Sequence, residues 1–273
     1  MRTGGVSLSV WAPFQTLIRH RATIASFIRR DLRGRYASSM MGMSWAIIQP
    51  LVLLALYTLV FSVILKVRLG GAGGIASFAL YLFCGMLPWI AFSEAISRSA
   101  QVVLEHATLI KRVVFPSEIL PAYVVGATFV MELVALGVFL FVVQFFHAPL
   151  GWTLLVFPVV FAFQLMLTLG LAWVLASLNV FLRDIGQVLG LALTLGMFLT
   201  PILYTPGMVP PRLRLLLAIN PLATVVQAYR DILLDGSWPA LSHLAYLGVV
   251  AVVVFVVGHW FFVGSKRAFV DVL

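Results

Sequence analysis

Long apolar runs alternate with short polar junctions along this chain, and the runs are too long for helices of a soluble core. Six apolar segments stand out, at 44–65, 78–97, 117–146, 152–181, 186–205 and 241–263. A helix rises 1.5 Å per residue, so roughly 20 apolar residues cross a hydrocarbon layer of about 30 Å. The third and fourth segments exceed that length, which predicts tilt or ends that run beyond the hydrocarbon. Ahead of the first run, Leu17, Ile18, Ile24, Phe27, Ile28 and Leu32 recur at near-helical spacing, with Arg19, His20, Arg21, Arg29, Arg30 and Arg33 largely between them. That pattern predicts one amphipathic helix over 14–38, lying in the headgroup plane. Between the fifth and sixth runs, Pro206, Pro210, Pro211, Pro221 and Pro239 isolate two apolar patches, 213–219 and 222–234, each too short to span. They predict re-entrant or interfacial half-helices on the external side, or an ordinary interfacial loop. The expected fold is an all-α integral membrane protein: six transmembrane helices, an N-terminal amphipathic interfacial helix and short re-entrant helices between spans 5 and 6.

Composition agrees with this pattern. Hydrophobic residues make up 62% and charged residues 10%, with a mean hydropathy of +1.09; soluble domains carry about 25% charged residues. One membrane domain over 44–265 is expected, with cytoplasmic segments 1–43 and 266–273. The formal charge of +9 would suggest nucleic acid in a soluble protein, but its distribution has another cause. With the N-terminus inside, thirteen of the 18 Lys and Arg fall in cytoplasmic segments and five in external ones. That bias orients both termini to the cytoplasm and leaves no role for nucleic acid. The glycine-rich stretch at 70–74 and the turn at 148–151 are then external. The single cysteine, Cys84, excludes an intramolecular disulfide. Residues 1–42 lack a signal-peptide core, so the first span is expected to target the chain.

Motifs for chemistry are missing. The sequence holds no GxxxxGK[ST], no HExxH and no GxSxG, so neither an ATPase site, a metal site nor a hydrolase elbow is expected. Glu132 and Gln164 fall near the middle of the third and fourth spans. A mid-membrane carboxylate is a functional candidate by default, or a protonated group bonded to a neighbouring helix. An ion-coupled carrier using Glu132 is therefore one alternative, although such carriers usually need several groups and an internal repeat. Gly186 and Gly190 form a GxxxG step in the fifth span, suited to a tight contact within or between subunits. Arg29, Arg30, Arg33 and Arg35 fit either a lipid anchor or a phosphate-bearing substrate, because guanidinium binds phosphate bidentately.

Five segments in order resemble a known family. They are RRDLRGRYASSMMGMSWAIIQPL from Arg29, LIKRVVFPSEILP from Leu109, NVFLRD ending at Asp184, FLTPILY from Phe198, and Asn220–Pro221–Leu222 followed by Tyr229–Arg230. Together they resemble the transmembrane permease subunit of ABC-2-type exporters, in the branch that moves lipid-linked polysaccharide. The resemblance implies a homodimer with two copies of a separate P-loop ATPase, which carries ATP and Mg; no cofactor is expected in this chain. It implies a substrate on undecaprenyl diphosphate, O-antigen or a similar surface glycan, with capsule, teichoic acid or a small lipid or drug as alternatives. On that basis the diphosphate is expected at Arg29, Arg30, Arg33 and Arg35. The glycan is expected along Trp45, Tyr57, Phe61, Phe198 and Tyr204. The ATPase contact is expected at Lys111, Arg112, Phe115, Glu118, Arg183 and Asp184. No catalytic residue is expected, and a membrane-embedded enzyme finds no constellation here.

Overall fold

The computed structural model describes residues 10–35, 37, 39–64, 75–112, 115–146 and 151–272, and among them there is helix and turn but no strand. Two short helices open the chain, α1 (Ala12–Arg19) and α2 (Arg21–Arg35). Then come α3 (Trp45–Tyr57), continued by a π-helical stretch (Thr58–Ile64), α4 (Ile75–Glu105), α5 (Ala107–Arg112) and α6 (Ile119–Phe146). A 3-10 turn (Trp152–Val156) leads into α7 (Phe157–Phe181), followed by α8 (Ile185–Leu199), α9 (Arg214–Ile219), α10 (Pro221–Leu233) and α11 (Leu241–Val272).

Each predicted apolar segment contains an apolar helix among the described residues, although the fifth ends at Leu199 rather than running to 205. Four stretches are long and apolar enough to cross a membrane: Phe78–Glu105, Ile119–Phe145, Trp152–Phe181 and Leu241–Lys266. Trp45–Val60 and Ile185–Leu199 are shorter apolar helices. The 15 residues of α8 rise roughly 22 Å, short of a layer of about 30 Å. That helix stops at Thr200, which is extended (ψ 133) because the following Pro201 disfavours helical backbone before it. The glycine-rich stretch 70–74 and residues 148–150 lie outside the described residues. Helix α11 continues past residue 265, where the membrane domain was expected to end.

The amphipathic segment is two helices rather than one, with a break at His20. Its apolar residues serve different neighbours. Phe14 of α1 meets Phe255 of α11 at 5.0 Å between ring centroids. Phe27 of α2 meets Tyr123 of α6 at 5.2 Å. A break lets each helix face its own partner.

Helices α7 and α11 form the most extensive pair, packed backbone to backbone where Gly170 meets Gly258. One core gathers Trp173, Phe255, Phe262 and Phe269 with α4 and α6. A second gathers Cys84, Phe139, Tyr229 and Leu247 beneath α3 and α10. Large apolar side chains also face outward, among them Phe141, Phe145, Leu191, Val249 and Val253, as a lipid-bathed surface requires. Cross-links define two ends of the bundle. At one end α2 meets α4, Asn179 Nδ2 donates to the Ala100 carbonyl at 2.8 Å, and Lys266 pairs with Glu118. At the other, Thr153 Oγ1 donates to the Ile232 carbonyl at 3.2 Å.

Candidate functional site

Helix α2 carries the predicted arginines, and the structure divides them. Arg29, Arg30 and Arg33 are exposed, with the Arg30 guanidinium 5.1 Å from the Phe27 ring. Among the described residues none of the three pairs with a carboxylate. Arg35 turns inward. Its Nε donates to Asp31 Oδ2 at 3.0 Å and its Nη1 lies 2.7 Å from Glu94 Oε1. Arg98 of α4 closes the ring by pairing with Asp31 and approaching Glu94 at 3.6 Å. Two guanidiniums and two carboxylates cancel, so Arg35 has little charge left for a phosphate. Its role is to latch α2 onto α4. Burial raises the Asp31 carboxyl, but hydrogen bonds and charge from Arg98 and Arg35 outweigh it and hold the group below its ordinary range. Asp31 is therefore charged at neutral pH. The stability that it contributes is lost as pH falls through that lowered value.

Beside α2 lies the expected ATPase contact. Lys111 is exposed at the end of α5; the side chain of Arg112 lies outside the described residues. Phe115 packs against Phe27 with tilted rings 6.0 Å apart between centroids, so this segment touches the basic helix. Arg183 and Asp184 are exposed between α7 and α8. Glu118 differs from expectation. It is 7% exposed, pairs with Lys266 of α11, and its carbonyl accepts from Trp173 Nε1 at 2.9 Å. The helix start at Ile119 carries it under α11, away from the surface.

The aromatics fall in two places. Trp45 is partly exposed and donates from Nε1 to Ser39 Oγ at 2.8 Å. Tyr57 packs against the second core, and the Phe61 side chain lies outside the described residues. Phe198 and Tyr204 come together at the other end, lining one cavity of about 320 Å³, with Tyr204 Oη donating to the Phe198 carbonyl at 2.9 Å. Of the GxxxG pair, a Cβ on Gly186 would meet Gln101 at 3.8 Å, while Gly190 has nothing within 4 Å.

Glu132 is engaged in a buried network. Gln164 Nε2 donates to both Glu132 oxygens at 3.1 Å. Tyr229 Oη of α10 lies 2.9 Å from Glu132 Oε1 and 2.5 Å from Gln164 Oε1. One phenolic hydrogen cannot serve both oxygens. A proton on Glu132, donated to Tyr229, frees the phenol for Gln164 and satisfies every member. Three helices are thereby joined, with no free valence left for an ion. Glu132→Gln is expected to keep folding, because an amide reproduces the donor and acceptor, and to keep transport within about two-fold. Glu132→Leu leaves Gln164 and Tyr229 unpaired, at about 1–3 kcal/mol each. Transport measured at matched protein levels checks this; a Glu132→Gln protein that folds but transports nothing would restore an ion-coupled role.

The family model for the ABC-2 type transporter matches residues 23–234, from the first turn of α2 to the end of α10. The chain belongs to this family. It is similar to an O-antigen export system permease protein of Myxococcus xanthus, 29% identical over 257 residues, 93% of this chain and 96% of the relative. A second O-antigen export system permease protein, from Klebsiella pneumoniae, is 30% identical over 230 residues, 82% and 86% of the two chains. The polysialic acid transport protein of Escherichia coli is 23% identical over 248 residues, 87% and 91%.

As an ABC-2 permease subunit, the chain supplies the membrane path and works with an ABC ATPase. Three features of this permease escape a reading of the sequence. Glu94 and Arg98 stand four apart on α4, a spacing that marks a shared face, yet the Arg98 partner Asp31 is 67 residues away and Glu94 is met by Arg35 of the same distant helix. Tyr229 completes the Glu132 network from a short helix with no span of its own. Arg230 is buried at 1% exposure, although Arg in a proline-rich external stretch reads as a solvated charge.

Proposed function

We propose that two copies of this permease, with two copies of a P-loop ATPase that holds ATP and Mg, export a surface polysaccharide carried on undecaprenyl diphosphate across the bacterial inner membrane. Helix α2 lies on the cytoplasmic side with both termini. The chain crosses six times, α3 and α8 as the short spans, and α9 and α10 re-enter from the periplasm. The observation that carries this reading is the pairing of free cations with a transmission contact. Arg29, Arg30 and Arg33 stand exposed on a helix whose Phe27 rests on Phe115, and Lys111, also exposed, is four residues before Phe115.

The three free arginines receive the diphosphate, where charge-assisted bonds offset its loss of water. Lys111, Arg112, Arg183 and Asp184 meet the ATPase. Phe115 passes its movement to α2, while Glu118 braces α6 against α11 through Lys266. Gly190, where a Cβ would meet nothing within 4 Å among the described residues, allows close approach of the second copy. The glycan passes Trp45, Tyr57 and Phe61 and leaves by Phe198 and Tyr204, whose ring faces bind sugars without reading their order.

Replacing Arg29, Arg30 and Arg33 together by Gln is expected to reduce surface polysaccharide at least about ten-fold at matched permease levels, since hydrogen bonds to charged groups contribute about 1.5–3 kcal/mol each. Copurification of a P-loop ATPase at one to one checks the partner. Export at the wild-type level in the triple variant would remove the phosphate-docking role.

A further inference from the structure

At the end of the bundle away from α2, two arginines are left over. Arg212 and Arg214 are exposed. Arg214 Nε donates to the Val209 carbonyl at 3.2 Å, which fixes the guanidinium and leaves its outer edge open. Among the described residues neither pairs with a carboxylate. Arg230, the third cation of this stretch, is consumed inside the fold. The pair stands among exposed Leu213, Leu215, Leu216 and Ile219. Trp152 and Trp238 at the same end are 82% and 63% exposed. Exposed tryptophan, leucine and arginine together mark the headgroup level of a bilayer. Loose cations are disfavoured on the external side, so two that persist there call for an anionic ligand.

Behind the arginines runs an apolar trough. The cavity lined by Phe198 and Leu213, about 320 Å³, shares Leu199 and Leu216 with a second of about 440 Å³ between α4, α7 and α8. The second reaches inward to Leu189 on α8. From Leu199 to Leu189 the helix covers roughly 15 Å, about half of a 30 Å hydrocarbon layer. The arginines flank Leu213, which lines the first cavity, so the two adjoining cavities set one apolar path about one leaflet deep next to a cationic head. A phospholipid has two chains to place; an isoprenyl lipid has one.

We propose that Arg212 and Arg214, with the trough along α8, bind the diphosphate and isoprenyl chain of the carrier lipid in the leaflet opposite α2. This rests on the lipid-linked cargo proposed above and adds a second headgroup site, where the carrier is held after crossing. Each guanidinium can donate to two phosphate oxygens, and Arg cannot lose its charge.

The test uses the permease with its ATPase in phosphatidylcholine nanodiscs and a photoactivatable farnesyl diphosphate, with the matching farnesol as control. Labelled peptides are read by mass spectrometry. The diphosphate probe is expected to label the 189–217 region, and the Arg212→Gln/Arg214→Gln double variant to lose at least about five-fold of that labelling while keeping labelling near α2 and its bound ATPase. Equal labelling by farnesol overturns the proposal, as does undiminished labelling of the double variant. Complete displacement by phosphatidylglycerol also overturns it, assigning the arginines to ordinary anionic lipid. Labelling at α2 alone removes only this second site. No labelling at either end removes the lipid-linked cargo as well.

Discussion

Gly258→Val is expected to abolish accumulation of the folded permease. A Cβ on Gly258 would stand 2.1 Å from the Gly170 carbonyl oxygen, and one on Gly170 would stand 2.4 Å from the Val254 carbonyl oxygen. Both obstacles are backbone, so no rotamer change relieves them. The helices must part by about 1 Å or more before even a methyl fits at a normal contact distance. In a membrane, helix association rests on close packing rather than on hydrophobic burial, because lipid is as apolar as leucine. Separating the most extensive helix pair therefore removes what holds it. Phe255 would lose its fit against Trp173, now 5.3 Å between centroids. Because both obstacles are backbone, the cost falls at the top of the overpacking range, about 3 kcal/mol, out of a total of about 5–15. Gly258→Ala should show a weaker form of the same defect, and Gly190→Ala, with open space around it, none. Recovery of monodisperse protein from detergent-solubilised membranes distinguishes the three. Wild-type recovery of Gly258→Val would mean that α7 and α11 do not touch at this point.

The sequence reading succeeds where a local signal suffices. A run of about 20 apolar residues carries its own evidence; four of the six predicted runs are helices long and apolar enough to cross a membrane, and the first and fifth hold shorter apolar helices. Asn220–Pro221 announces a helix start. Asn220 accepts from the Leu222 amide at 3.0 Å, and Pro221 takes the first position, where its missing amide costs nothing. The reading fails where the deciding partner is remote. The amphipathic pattern continues through His20, so nothing local betrays the break that sends α1 to α11 and α2 to α6. The spacing of Asp31 and Arg35 allowed an ion pair, but which of four arginines turns inward is decided by Glu94 and Arg98. Glu118 follows Pro116 in a polar stretch and reads as a loop charge, yet Lys266 covers it from the last helix. Glu132 and Gln164 were visible as polar groups in apolar runs; their third partner, Tyr229, belongs to a helix that only the fold brings to their depth.

Arg230→Met is expected to loosen the end of the bundle opposite α2 and to stop export while the ATPase remains bound. This guanidinium is 1% exposed. Nη1 donates to the Pro201 carbonyl at 2.6 Å, Nη2 to Ile202 at 2.9 Å and Nε to Tyr81 at 3.4 Å. Its Cζ lies 3.5 Å from the Tyr81 ring centroid. Pro201 and Ile202 follow the end of α8, where carbonyls lack helical partners, so Arg230 supplies the donors that the backbone cannot. One residue thus ties α10, the α8–α9 connection and α4 together. Gly85 makes room for it, since a Cβ there would stand 2.7 Å from Nη2. Methionine fills the volume but strands the carbonyls, at about 1–3 kcal/mol for each buried group. Lysine keeps the charge and still fails, because an ammonium lacks the planar fork that spans three carbonyls. Both variants should unfold at lower temperature and expose the 200–214 connection to protease. The trough along α8 is walled by the same connection, so binding there should weaken with it. The proposed ATPase contact is at the other end and should survive, which separates this defect from general misfolding. Full stability of Arg230→Met, or complete rescue by Arg230→Lys, would show that the buried charge is tolerated rather than required.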